Sequence, residues 1–194
     1  MSAAPAMHAV DPRIERSRRV ILRAALEELG EAGYGGFTIE SVAARAGVGK
    51  STIYRHWREK LALIADAFET LHAEEAPDLA SGTAREKLVR ILQHVAEVVA
   101  GSTFSMCIPA LIDAAERDPQ LRRFHLRFQR DARQPLVNII AEGVATGVFP
   151  ARADPNLAAF SLLGAVFFCR LMTSKPLDPD RAAALVDTVL GPNP

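Results

Sequence analysis

The chain is 194 residues long, with 49% hydrophobic and 24% charged residues and a formal net charge of zero. That length suits one or two small domains with a sizeable core, and the composition excludes a disordered or fibrous chain. No apolar run reaches the roughly 18 residues of a membrane span, and the opening MSAAPAMHAVDP lacks the basic-then-apolar order of a secretory leader.

That opening reads as a mobile tail, and the chain as cytoplasmic. Cys107 and Cys169 are far apart in apolar helical patterns, so they read as small core hydrophobes in a reducing compartment. Charge is uneven along the chain. Residues 1–60 carry 10 Lys/Arg and 7 Asp/Glu, a balance of +3, and residues 61–194 carry 13 and 16, a balance of −3. A basic front on an acidic body fits a polyanionic partner at one end only.

The elements read as helices throughout. A first helix spans about Pro12 to Glu31, with Leu22, Ala25, Leu26 and Leu29 on one face, and glycines 33, 35 and 36 break it. Thr38 is placed to cap a second helix, Ile39 to Ala46, in whose first turn Glu40 suits the helix dipole. Gly47 and Gly49 flank a tight turn, a third helix runs from Lys50 to Trp57, and a fourth from Glu59 to about Glu74. The turn-rich PDLASGT, residues 77–83, is the best boundary in the chain. Beyond it, Leu88, Ile91, Leu92, Val95 and Val99 mark a fifth helix. Ser102 or Thr103 caps a sixth, which ends near Asp118-Pro119. A seventh spans about Gln120 to Thr146, with Pro135 as an expected kink. An eighth runs from Pro155 to Ser174 and a ninth from Pro179 to Leu190. There is no convincing strand and no internal repeat, so the fold class is all-α, with about nine helices.

The stretch AARAGVGKSTIYRHW, Ala43 to Trp57, can be read in two ways. From Ala44 it runs A-x-x-x-x-G-K-S, close to a phosphate-cradling loop. Such a loop needs a buried strand before it. The preceding TIESVAARA is Ala-rich, charged and spaced as a helix, and Ala44 stands where the stricter motif has glycine. LALIAD, residues 61–66, lies on an amphipathic helix and is a poor metal-binding partner. A nucleotide-binding switch is therefore the disfavoured alternative.

The helix-turn-helix reading explains more residues. Ala43 lets two helices approach, Gly47 turns the chain, and Val42, Val48 and Ile53 close a small core. The second of the two helices then projects Lys50, Ser51, Thr52, Tyr54, Arg55 and His56 outward, a mixture of phosphate contacts and base-edge readers. Lys60 opens the next helix, where it can meet a phosphate. Trp57 reads as a core plug rather than a base-stacking group. His56 is balanced between phosphate contact and helix cap.

Residues 13–73 resemble the DNA-binding domain of the tetracycline-repressor (TetR) family of bacterial transcription regulators. The resemblance rests on ILRAALEELGEAGYGGFTIESVAARAGVGKSTIYRHWREKLAL, residues 21–63. The Thr38 cap, the Ala43–Gly47 pair and the T-I-Y-R-H-W-x-x-K ending are its most specific parts. It implies an N-terminal three-helix DNA-binding domain over 13–73 and a ligand-sensing, dimerising helical domain over 77–194. It also implies a homodimer that binds a palindromic operator, usually to repress, and is released by a small effector. Carried over residue by residue, Thr38, His56 and Lys60 match phosphate contacts, and Lys50, Ser51, Thr52 and Tyr54 match the recognition face. Some relatives read a base with a basic residue near the start of the second helix. Glu40 stands there in this chain and that contact is not carried over. Arg45 is an alternative source of that contact, but it reads rather as a solvated surface arginine.

In the body, the eighth helix is nearly apolar all round, so it must be covered on more than one side. Phe160, Leu163, Gly164, Phe167 and Leu171, with Leu185, Val186 and Val189 of the ninth helix, are the expected dimer interface. Phe104, Cys107, Leu111, Phe124, Phe128, Ile140 and Phe168 are the expected lining of a ligand cavity suited to a hydrophobic molecule, together with Met106. Asp113, Asp131 and His125 are the polar candidates. The arginines at 122, 123, 127, 130 and 133 read as a solvated helix face. There is no nucleophile–base pair and no metal-ligand spacing, so no catalytic residue, metal site or cofactor is expected.

Overall fold

The computed structural model describes residues 12–73, 77–173 and 175–192, and every regular element among them is helical. The N-terminal part is α1 (Pro12–Gly36), α2 (Ile39–Ala46), α3 (Lys50–His56) and α4 (Lys60–Ala73). The body is α5 (Ala84–Gly101), α6 (Thr103–Arg117), α7 (Pro119–Ala145), α8 (Pro155–Met172) and α9 (Ala182–Leu190), with a 3-10 turn, Pro179–Arg181, leading into α9. The all-α expectation therefore holds. The opening tail and the expected helix ends at Glu74 and Ser174 fall on residues outside the described ones.

Caps explain most boundaries. Ser41 N–H donates to Thr38 Oγ1 (3.0 Å) and Thr38 N–H donates to Ser41 Oγ (3.3 Å), a reciprocal cap on α2. Thr83 and Glu86 make the same arrangement on α5. Asp118 and Asp154 cap α7 and α8, each followed by a proline at the first helical position. The glycines break α1 as expected: Gly33 (φ 66°, ψ 174°) is non-helical and kinks the element, and a short helical turn follows, with Phe37 N–H donating to Gly33 O (3.1 Å) and the Phe37 ring buried.

One hydrophobic core runs through both parts, from Ile21, Leu29, Ile53 and Phe68 to Leu88, Leu121 and Phe149. The expected α1 stripe, Leu22, Ala25, Leu26 and Leu29, is buried in it. α6 crosses α1 at Gly30, where an added Cβ would stand 3.2 Å from Met106 Cβ. Beside it Cys107 Sγ–H donates to Leu26 O (3.0 Å), and burial pushes this thiol up to about 12. It is therefore an uncharged core group at neutral pH, as its apolar surroundings predicted. At the α5–α6 corner the buried Ser105 hydroxyl donates to Val99 O (2.6 Å), and Arg170 of α8 donates through Nε to Ser105 Oγ (2.7 Å).

α8 packs on α5, α7 and α9 through Ala158, Ala159, Leu162 and Val166. It is the one described helix that is long and apolar enough, by length and composition, to span a membrane. Its opposite side leaves Leu157, Phe160, Gly164, Phe168 and Met172 exposed, one stripe at helical spacing. The expected interface set divides across this geometry. Phe160 and Gly164 lie on the open stripe, Leu163, Phe167, Leu171, Leu185 and Val189 are half-buried, and Val186 is buried within its own chain.

Gly143 in α7 is closely packed, since a Cβ there would collide with the ring of Phe149 in the loop that follows and stand 3.1 Å from Ala84 Cβ of α5. Gly143→Ala is expected to cost about 1–3 kcal/mol by overpacking. Thermal unfolding followed by circular dichroism should show a Tm lower by about 2 °C or more. An unchanged Tm would mean that this corner repacks freely.

Candidate nucleic-acid interface

The turn between α2 and α3 is set by backbone geometry. Gly47 is left-handed (φ 67°, ψ 31°), and its N–H and that of Val48 close the end of α2 on Ala44 O (3.3 Å) and Ala43 O (3.0 Å). A Cβ at Gly47 would meet nothing, so the positive φ, and not a clash, is what requires glycine. Val42, Ala43 and Ile53 are buried between the helices and Val48 packs beside them. The residues before Lys50 form a helix, not a strand, and no strand occurs among the described residues. The phosphate-loop alternative thus lacks the support it needs.

Only Ile53 of α3 is buried. Lys50, Ser51, Tyr54, Arg55 and His56 are exposed and Thr52 is half-buried, so the expected recognition face points outward. Tyr54 is 49% exposed, unusual for a large aromatic and in contrast to Trp57 at 3%. Thr38 is exposed at the start of α2 with its hydroxyl engaged in the cap. Lys60 is half-buried. Its Nζ lies 3.9 Å from the centre of the Tyr34 ring and donates to Tyr34 O at 3.3 Å, so it is pinned to the end of α1.

Two residues outside the expected set hold this surface in place. Asp66 of α4 accepts from Trp57 Nε1–H (2.7 Å) and from Arg18 of α1 (2.8 Å) on the same oxygen. One carboxylate thereby ties α1, the end of α3 and α4 together. The sequence showed it only as the polar end of LALIAD. Its side chain is one-third exposed, so the arginine arm is a modest contributor, whereas the buried indole N–H depends on this acceptor. Arg45 is exposed, as expected, and it also reaches from α2 to Glu28 (2.9 Å) and Glu31 of α1. These carboxylates raise its pKa and Arg45 lowers that of Glu31. The reason is tertiary: α1 turns Glu28, only 8% exposed, toward α2, and a buried carboxylate requires a partner.

The body contains a cavity of about 420 Å³ between α4, α5, α7 and α8. Phe124 and Phe128 of the expected lining border it, with Val95, Val98, Leu163 and Phe167, and with Glu69, His94, Arg127 and Asp131 as polar members. The other expected lining residues lie elsewhere. Cys107 is buried against α1 and Leu111 is buried one turn further along α6. Ile140 is buried 12 residues beyond Phe128, and Phe168 is 60% exposed on the open side of α8. The side chain of Phe104 is outside the described residues. Met106 is exposed, Asp113 pairs with Arg117, and His125 does not border the cavity. Apolar type alone could not separate lining from core, because both are cut from the same stripes. Phe68 of α4 stacks edge-on to Phe128 (centroids 5.3 Å) and lies 6.0 Å from Phe124, and Arg127 reaches Glu69 at 3.8 Å. The cavity wall is therefore also the seat of α4.

Residues 21–67 match the family model described as "Bacterial regulatory proteins, tetR family", and residues 77–189 match "Tetracyclin repressor-like, C-terminal domain". A helix-turn-helix transcriptional regulator is the class of protein that this fold and surface define. The chain belongs to the TetR family of bacterial regulators. An uncharacterized HTH-type transcriptional regulator of Bacillus subtilis, YdeS, is 27% identical over 176 residues, covering 90% of this chain and 88% of its own. The DNA-binding transcriptional repressor TetR of Mycobacteroides abscessus is 31% identical over 185 residues, covering 92% and 94%. The crystal structure of the regulator FadR from Bacillus subtilis in complex with stearoyl-CoA has the same fold, with a TM-score of 0.67 at 20% identity over 90% of this chain and 98% of that one.

Asp66→Ala is expected to leave the Trp57 N–H without an acceptor and to cost about 1–3 kcal/mol. Trp57 is the single tryptophan, so its fluorescence reports the site directly. Urea unfolding monitored by that emission should show a lower midpoint, and Asp66→Asn, which keeps an acceptor oxygen, a smaller loss. Equal losses in both variants would remove the hydrogen bond as the cause.

Proposed function

We propose that this regulator acts as a homodimer whose two α3 helices enter successive major grooves of a palindromic operator, and that it represses transcription until a small hydrophobic effector releases it. The observation that carries the reading is the division of α3 into one buried residue, Ile53, and an outward polar face, on a helix anchored by a buried tryptophan. Such a helix gains little from its own core and is shaped for an external partner. In this reading Tyr54, Arg55, Ser51, Thr52 and His56 face the groove with Lys50, and Thr38 and Lys60 flank it at phosphates. Residues 13–73 form the DNA-binding unit and residues 77–194 the sensing and dimerising unit. The protein works in the cytoplasm, as a binding protein and not as an enzyme, without cofactor or metal, and without a membrane.

The open stripe of α8 supports the dimer. Leu157, Phe160, Phe168 and Met172 are each more than half exposed and side by side, which is costly for a lone chain in water. A second α8 laid across Gly164 would cover them. The two recognition helices must then stand about 34–36 Å apart. The cavity supports the effector. It is mostly apolar and its volume suits a drug-sized molecule. The neighbour with stearoyl-CoA bound is a protein of the same fold with an acyl-bearing ligand, which agrees with a hydrophobic occupant here. A ligand touching Phe124 and Phe128 touches the residues on which Phe68 of α4 rests, so it can favour a different setting of the heads.

The test is fluorescence anisotropy with DNA from upstream of the chain's own gene against scrambled DNA, over a salt series. Selective binding that Tyr54→Ala weakens by about tenfold or more supports the operator reading. Equal, weak binding to both DNAs in wild type and variant would overturn it for that site. A hydrophobic ligand that lowers operator affinity must itself bind the DNA complex more weakly by the same factor, and unequal factors would refute the linkage. Phe168→Glu should shift the sedimentation coefficient from dimer to monomer while the helical spectrum is retained, because the residue does not belong to the monomer core. A dimer that survives the change would place the interface elsewhere.

A further inference from the structure

The face shared by α2 and α3 carries a carboxylate among its cations. Glu40, in the first turn of α2, accepts a hydrogen bond from Lys50 Nζ at 2.9 Å, and both side chains are more than half exposed. Their neighbours Ile39, Val42 and Ile53 point into the core, so the pair stands on the outward surface. The cap of α2 is already complete through Thr38 and Ser41, so helix formation does not require Glu40. An unpartnered carboxylate there would be repelled by DNA phosphates, and a paired one removes a cation from phosphate binding. The pair therefore weakens sequence-independent affinity, which calls for a compensating role in recognition.

Its geometry supplies one. Held together, the two groups present a hydrogen-bond acceptor and a donor side by side, and the bond to Lys50 leaves the carboxylate further lone pairs. The major-groove edge of a G·C pair offers the complement: guanine O6 and N7 accept, and the cytosine N4 amino group donates. In an A·T pair the donor lies between two acceptors beside the thymine methyl, so a carboxylate aimed at it also faces an acceptor. We propose that Glu40 and Lys50 act together as a base-reading pair, with Glu40 accepting from cytosine N4 and Lys50 donating to guanine of the same G·C pair. This rests on the operator-binding reading and adds a specificity residue to it. It requires a G·C pair at one symmetric position in each half-site.

The test is selection from a randomised duplex library with the full-length protein, followed by anisotropy on the selected site and on variants with each position exchanged. Wild type should need G·C at one position per half-site, with exchange to A·T weakening binding about tenfold or more. In Glu40→Ala that penalty should fall below about threefold while the other positions keep theirs, and binding to scrambled DNA should strengthen with a salt slope steeper by about 0.9 per freed lysine. Glu40→Gln should shift the preferred pair toward A·T, because an amide bonds adenine N6 and N7 together. Both variants should keep the wild-type helical spectrum and Tm. Unchanged base preference at every position in both variants would overturn the proposal while leaving operator binding intact. A wild-type protein that selects no site would overturn the operator reading and this inference with it.

Discussion

The placing of α3 and its outward polar face depends on one carboxylate. α3 is seven residues long with a single buried side chain, far too little to hold a helix by itself in water. Its position is fixed by Trp57, buried at the end of the helix, whose indole N–H ends on Asp66 of α4 while Arg18 of α1 ends on the same oxygen. A long aromatic lever anchored at its polar tip converts the packing of α1 and α4 into the direction of α3. The Arg45 clamp from α2 to Glu28 and Glu31 closes the other side. The outward residues can be polar and free because the inward ones leave so little play.

The same economy joins the two parts of the chain. α4 is not a detached rod. Phe68 sits among Phe124 and Phe128 of α7, and those two rings are also cavity wall. α1 is gripped from the other side by α6, through the close approach at Gly30 and the Cys107–Leu26 bond. α6 in turn starts at a corner where Ser105 joins Val99 of α5 to Arg170 of α8. Cavity, α8 and the helix-turn-helix are thus connected through touching groups on α4, α6 and α7. Packed interiors transmit displacement because they are dense.

Much of this was legible in the residues. The apolar stripe of α1, the capping position of Thr38, the small Ala43 and the turn at Gly47 are short-range requirements, and each left its mark at fixed spacing. The glycine pattern was legible too: Gly33 breaks the first helix, and only a short helical turn follows it before Phe37 enters the core. The cavity was harder to read. Phe124 and Phe128 line it, whereas Cys107, Leu111 and Ile140 are core and Phe168 faces outward. These residues share composition and periodicity, and only the rotation of each helix about its axis separates them.

What the sequence by itself determined is therefore local and periodic: the helices, their caps, the tight turn, and the polar face of a short helix that exceeds what its own core needs. What the tertiary structure decided is pairing across the chain. Asp66 became the acceptor for Trp57 and Arg18, the exposed Arg45 a clamp on Glu28 and Glu31, Lys60 a lid on Tyr34, and Glu40 the partner of Lys50. Each of these joins residues from different helices. Charged and aromatic side chains carry no periodic signature of their partners, and a hydrogen bond a few ångströms long is fixed only when the helices bearing its two ends have docked.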